Sequence, residues 1–231
     1  PSYGRNSRYG IMPMASSLDT VGPFAKSVED IAIIMQTMAG QDVKDSTTVP
    51  EKVPNYLDAI ENSMKGMKVG IPKEYLEIEG LEDEVRKDFE LQIEKLKDLG
   101  CTITDISLPH TKYAVPVYYI VVPSEDSSNL SRLDSIRYGV QSQHKTLEQA
   151  YTKSRAQGFP DEVKRRIMAG TYALSAGYYD AYYKKAQKVR TLIIRDFSNA
   201  FGSVDAIVTP TSPFPAFGLG EKKDDIMAMY L

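Results

Sequence analysis

MKVGIPKEYLEIEGLEDEVRKDFELQIEKLKDLGCTITDISL, residues 67–108, decides the fold. MKVGIP is a short apolar strand. The stretch EDEVRKDFELQIEKLKDLG places Val85, Phe89, Ile93 and Leu96 on one face at helical spacing, and CTITDISL alternates as a strand. Strand, helix and strand within about 40 residues form a βαβ crossover, whose strands are expected parallel and right-handed in one sheet.

On the N-terminal side, residues 1–26 are rich in Gly, Ser and Pro and read as irregular structure with one short strand at most. A helix opens at Ser27, followed three positions on by Asp30 in an acidic variant of the capping box. Ile31, Ile34, Met35 and Met38 then repeat at helical spacing until Gly40. Residues 41–66 connect, with a short helix near Tyr56 to Ile60. On the C-terminal side, Tyr113 to Arg137 is helical in pattern, with interruptions expected at Pro116 and Pro123 and many hydroxyls and amides in SEDSSNLS. Residues 161–200 read as one long helix or as two pieces hinged near Gly177. DAIVTPT is a strand, and TPTSPFPAFGLG ends regular structure. Helices and strands interleave, so the class is α/β. Internal repeats and low-complexity runs are absent from the sequence.

A chain of 231 residues lies between one large domain and two small ones, and 42% hydrophobic with 26% charged residues is a globular composition. The formal net charge of −3 argues against bulk, sequence-independent binding to nucleic acid. A single cysteine, Cys101, leaves no disulfide within the chain and no thiolate set for zinc, which suits a reducing compartment; the expected location is the cytoplasm. No apolar run approaches the roughly 20 residues that span a bilayer. The sequence starts without Met and stops at MYL, so the expectation is one incomplete domain, 1–231, of something longer.

Motifs for hydrolytic or phosphate chemistry are missing: there is no G-x-S-x-G, no H-E-x-x-H and no glycine-rich phosphate loop. SQHK, residues 142–145, matches S-x-x-K but has no S-D-N or K-T-G companion, so it reads as polar loop. His110 and His144 have no acidic residue at metal-ligand spacing and read as loop histidines. Asp224, Asp225, Glu79, Glu82, Asp83 and Glu84 sit where solvated loops and helix starts favour negative charge.

The stretch FPDEVKRRIMAGTYALSAGYYDAYYKKAQKVR, residues 159–190, poses the functional question. On a helix, Arg166, Gly170, Ala173, Gly177 and Ala181 fall within about 40° of one line. Tyr172, Tyr179 and Tyr183 share a second line. The cations point in different directions with acids among them, which weakens a nucleic-acid surface. Small residues beside Arg166 leave either close helix packing, the leading reading, or room for a carboxylate clamped by two parallel hydrogen bonds. The tyrosines read as core or interface.

GRNSRYGIMPMASSLDTVGPFAKSVEDIAIIMQTMAGQDVKDST, SEDSSNLSRLDSIRYG and VKRRIMAGTYALSAGYYDAYYKKAQKVR together resemble the amidase-signature family, and within it the glutaminase subunits of tRNA-dependent amidotransferases. The resemblance implies an amidase-signature fold, a partial mixed sheet flanked by helices. It implies glutamine hydrolysis by a serine–serine–lysine triad in the A component of a three-part assembly, with ammonia passed to the B component beside a third, C. The B component amidates Glu-tRNA(Gln) or Asp-tRNA(Asn) with ATP and Mg2+, and carries most of the tRNA contact; no cofactor and no membrane are implied for this chain. The family's triad falls before residue 1, so no catalytic residue is assigned here. By the YYI and KRR motifs, Tyr118 and Arg166 correspond to residues that hold the glutamine α-amino and α-carboxylate groups. Two rival readings remain: a general amidase-signature hydrolase, and a non-catalytic module that docks tRNA or a protein.

Overall fold

A computed structural model describes residues 1–78, 80–137 and 139–222. The chain divides into two compact units: residues 1–62 with 119–183, and residues 63–118 with 184–231.

The second unit contains the crossover. Strand β1 (Lys68–Pro72) and strand β2 (Thr102–Ile106) pair in parallel, with Val69 opposite Ile103 and Ile71 opposite Asp105. A short third strand, β3 (Ala206–Ile207), joins the other edge of β1, also in parallel, giving the order β2-β1-β3. Asp205 fixes this edge: its carboxylate accepts from the Lys68 N–H at 2.8 Å, and its own N–H donates to the Lys68 carbonyl at 2.8 Å. DAIVTPT contributes a strand of two residues rather than its whole length, with the Val208 N–H just beyond it still donating to the Gly70 carbonyl at 3.0 Å. The only antiparallel pairing among the described residues is an isolated bridge from Asn6 to Ala39 in the first unit.

The linking helix, here numbered α3 (Asp83–Asp98), buries Phe89 and Ile93 against Ile71 of β1, with Leu76, Leu96, Ile103 and Val208 packed around them. Asp83 and Glu84 lie in its first turn and Lys95 and Lys97 in its last, each sign set against the opposite end of the helix dipole. These carboxylates are thus helix-start residues, as their position in the sequence suggests; Glu79, Asp224 and Asp225 lie outside the described residues.

In the first unit, α1 (Val28–Met38) starts where expected: the Ser27 side chain accepts from the Asp30 N–H at 3.1 Å. It is followed by α2 (Tyr56–Ile60). Helix α4 (Ala114–Asn129) runs unbroken through both prolines, contrary to the interruptions the sequence led us to expect. Pro116 lies in the first turn, where a backbone N–H has no partner to lose. Pro123 lies inside the helix, and one residue on, the Ser124 hydroxyl donates to the Ile120 carbonyl at 2.6 Å. Helices α5 (Leu147–Gly158) and α6 (Asp161–Leu174) also belong to the first unit, whereas α7 (Tyr183–Ala200) belongs to the second from Lys184 onward.

Between α6 and α7 the chain turns through residues 175–182, with Gly177 at φ +87°, a conformation favourable only to glycine. The two-piece reading of residues 161–200 is the correct one. The single-helix angles drawn across this break do not hold: Gly177, Ala181, Tyr179 and Tyr183 are not on α6.

Candidate functional site

Helix α6 neutralises its own cations. Lys164 Nζ lies 3.1 Å from Asp161 Oδ1, Arg165 pairs with Glu162, and Arg166 Nε donates to the other oxygen of Glu162 at 3.1 Å. Acids one turn back from each base make pairs worth a few tenths of a kcal/mol apiece and leave no continuous positive face. This weighs against the nucleic-acid surface.

Of the small residues beside Arg166, Gly170 and Ala173 are buried. A Cβ on Gly170 would come 1.8 Å from the Pro123 carbonyl oxygen, so α6 and α4 touch backbone to backbone at this point. One residue farther along α6, the Thr171 and Ser127 hydroxyls meet at 2.7 Å. Close packing, the leading reading of this line, is what the structure shows at Gly170. Arg166 lies one turn before the contact with its guanidinium half-buried.

The tyrosines divide differently from the helical line. Tyr172 packs against Tyr178 at 4.3 Å between ring centroids, the planes tilted by 36°, and meets Tyr182 edge-on at 5.8 Å, while Tyr179 pairs with Tyr183 at 5.4 Å. Tyr172, Tyr178, Tyr179 and Tyr182 are exposed, so within this chain they are not core. A hydrogen bond with Tyr178, together with desolvation, pushes the Tyr172 phenol up to about 12.

SEDSSNLS proves to be the polar lining of α4 against the N-terminal segment. Glu125 accepts from both the backbone N–H and the hydroxyl of Ser17, and Asn129 Nδ2 donates to the Met14 carbonyl at 3.0 Å. Asp19 closes the same loop by accepting from the N–H groups of Met14 and Ala15. Beside this loop lies a cavity of about 510 Å³ lined by Arg8, Tyr9, Met12, Asp19, Lys44 and Arg132 among others. Asp126, between Glu125 and Asn129, is 1% exposed, and both its carboxylate oxygens are buried without a hydrogen-bond partner. Burial pushes its carboxyl above the usual range, against the pull of the Arg166 charge; Asp19 and Glu125 push the same way as burial. Sequence reading missed Asp126, although Val122, Asp126 and Asn129 stand at i, i+4, i+7 on one buried face.

The other predicted positions fall as follows. Tyr118 is a half-buried residue of α4 that belongs to the second unit, whereas Arg166 belongs to the first. The Ser142 hydroxyl faces that of Ser154 at 3.2 Å, and the Lys145 N–H donates to Gln149, so SQHK is a loop leading into α5. His144 Nδ1 contacts the Ser142 carbonyl at 2.8 Å. His110 is more than a loop histidine: its Nδ1 sits 3.0 Å from Asp196 of α7, which also accepts its backbone N–H at 2.8 Å. The two are 86 residues apart, beyond any spacing rule. Among the described residues no group of three or more His, Cys, Asp or Glu side chains is placed to hold a metal, and no helix is long and apolar enough to cross a membrane.

The amidase family model matches residues 1–231, the whole chain. The chain belongs to the amidase family. Among its amidase-family relatives, the glutamyl-tRNA(Gln) amidotransferase A component of Koribacter versatilis is 58% identical over all of this chain and 48% of the relative. The protein of the same name from Caulobacter vibrioides is 55% identical over all of this chain and 47% of the relative. The crystal structure of the corresponding glutamyl-tRNA(Gln) amidotransferase component from Thermotoga maritima superposes with a TM-score of 0.74 at 41% identity, covering 97% of this chain and 44% of that one. The chain thus spans about half the length of the amidases it matches. The α/β amidase-signature fold read from the sequence is borne out by these matches.

Proposed function

We propose that this chain is the amino-acid-binding portion of the glutaminase component, A, of a tRNA-dependent amidotransferase. That component hydrolyses the side-chain amide of glutamine and passes ammonia to the B component, in an assembly that includes a third, C. At B, with ATP and Mg2+, the γ-carboxyl of Glu-tRNA(Gln), or the β-carboxyl of Asp-tRNA(Asn), becomes an amide. The observation that carries the reading is Arg166: a half-buried guanidinium whose Nε is oriented by Glu162, on a helix seated against α4 by Gly170. A guanidinium held that way recognises a carboxylate with directed, charge-assisted hydrogen bonds. Identity above 50% to relatives named for this activity, over every residue of the chain, supports the same assignment.

On this reading Arg166 holds the α-carboxylate of glutamine and Tyr118 presents a hydroxyl to its polar end. The serines and lysines of this chain take no part in the nucleophilic step, which requires an activated serine supplied elsewhere in the glutaminase. The chain by itself therefore releases no ammonia from glutamine. Kinetics of the complete amidotransferase test the assignment. Arg166→Ala should raise KM for glutamine at least tenfold, about 1.4 kcal/mol of lost binding, with little change in melting temperature. An unchanged KM would remove Arg166 from the site. A shallow dependence of tRNA affinity on salt for this chain alone would separate the enzyme reading from a tRNA-docking module, for which several phosphate contacts give a steep one.

A further inference from the structure

Among the described residues, Asp126 is the only carboxylate whose two oxygens are both enclosed and unpartnered. A buried ionisable group in that condition is costly, and a carboxyl that merely filled space would be better replaced by an apolar side chain of similar volume. Its surroundings show a more specific arrangement. Helix α6 meets α4 backbone to backbone at Gly170 and Pro123, four residues after Arg166 and three before Asp126, and the charges of Arg166, Asp19 and Glu125 all act on the Asp126 carboxyl. Glu125 is engaged by Ser17, and Asp19 by the backbone of Met14 and Ala15. The charge on Asp126 is engaged by no hydrogen bond and is opposed by that of Arg166.

We propose that Asp126 is a specificity residue of the Arg166 site, whose fixed negative charge makes that site prefer a zwitterionic α-amino acid to a carboxylate lacking the α-ammonium. The inference rests on Arg166 as the carboxylate clamp. A guanidinium whose charge reaches an enclosed, unpartnered carboxylate presents a plus and a minus together. A ligand carrying only a carboxylate must bring its negative charge toward Asp126 through an interior of low effective dielectric, where the repulsion is strong. An α-amino acid brings an ammonium that offsets this repulsion. Specificity of this kind comes from an element that penalises the wrong ligand. The Asp126 oxygens are enclosed, so the residue acts through space and not by touching the ligand.

The test compares two amides in the complete amidotransferase: L-glutamine, and glutaramate, which keeps the amide and the carboxylate but lacks the α-amino group. Asp126→Asn removes the charge and keeps the shape; Asp126→Ala removes both. Each should raise KM for glutamine about tenfold while leaving that for glutaramate unchanged or lower, so the preference for glutamine collapses by at least tenfold. kcat at saturating glutamine should stay within about threefold. A packing role would move both KM values together, and that result, or an unchanged ratio, overturns the proposal. Arg166→Ala, run in parallel, should raise KM for both amides. If it raises neither, the clamp falls and this inference with it; if it raises both while the Asp126 variants keep the wild-type ratio, the inference alone falls.

Discussion

Replacing Gly170 with alanine tests the α4–α6 contact on which the site depends. The added Cβ would stand 1.8 Å from the Pro123 oxygen, 2.3 Å from its carbonyl carbon and 2.8 Å from the Ser124 nitrogen. All three are backbone atoms and cannot rotate aside, so the helices must separate by about 1.5 Å to restore ordinary contact. Overpacking of this kind costs roughly 1–3 kcal/mol, and a backbone obstacle puts it at the upper end. Separation also stretches the 2.7 Å hydrogen bond between Ser127 and Thr171, worth about 1 kcal/mol. Against this, alanine is favoured over glycine inside a helix by about 1 kcal/mol. The net expectation is a loss of about 2–3 kcal/mol. Urea unfolding followed by circular dichroism should show the midpoint falling by about 1 M or more with the slope unchanged. Gly158→Ala is the control, because its Cβ would meet only Val140 at 3.9 Å, and it should be neutral. If Gly170→Ala matches that control or exceeds the wild type, α6 does not pack on α4 as described.

Two further outcomes follow from titrating groups in the first unit. Asp45 is held down to about 2, first by the Thr47 hydroxyl and then by backbone N–H groups of Arg8 and Thr47, from an ordinary value of 3.8. A depressed carboxylate contributes stability that is complete above the unfolded value and is lost as pH falls through the folded one, here from about pH 4 to pH 2. Asp45→Asn should be less stable than the wild type at pH 7 and should lose less on acidification through that window; parallel profiles of urea midpoint against pH would contradict it. For the tyrosine cluster, Tyr178→Phe removes the hydrogen bond that raises Tyr172 to about 12, so the most alkaline step of the ultraviolet tyrosinate titration should move down toward 10. A step that stays in place would show that Tyr178 is not the cause.

The crossover was legible because its signals are local. The spacing of Val85, Phe89, Ile93 and Leu96 encodes the buried face of α3 without reference to anything distant, and the alternation in CTITDISL does the same for β2. Ser27 and Gly40 likewise marked the ends of α1 within a few residues of themselves. What escaped was non-local. Asp196 engages His110 across 86 residues, and Glu125 engages Ser17 across 108, so neither pairing leaves a mark on sequence spacing. Pro123 was read as a break because isolated propensity disfavours proline in a helix by about 3 kcal/mol. Tertiary contact offsets that penalty: Pro123 itself is buried in α4, and its carbonyl is the surface against which Gly170 packs.

The choice posed by the small residues beside Arg166, packing or room for a ligand, dissolves once both helices are considered together. Gly170 brings α6 to the α4 backbone, and about one turn from that contact stand Arg166, four positions before Gly170, and Asp126, three positions after Pro123. Side chains one turn from a shared contact lie on the contact face of their own helix, so close packing is what sets the two charges near each other. A larger residue at Gly170 would fill no ligand space; it would move the cation on α6 away from the carboxylate on α4. Gly170 thus serves packing directly, and on the proposed reading it serves recognition through packing, because the contact it makes with Pro123 holds the Arg166 and Asp126 charges within reach of each other on separate helices.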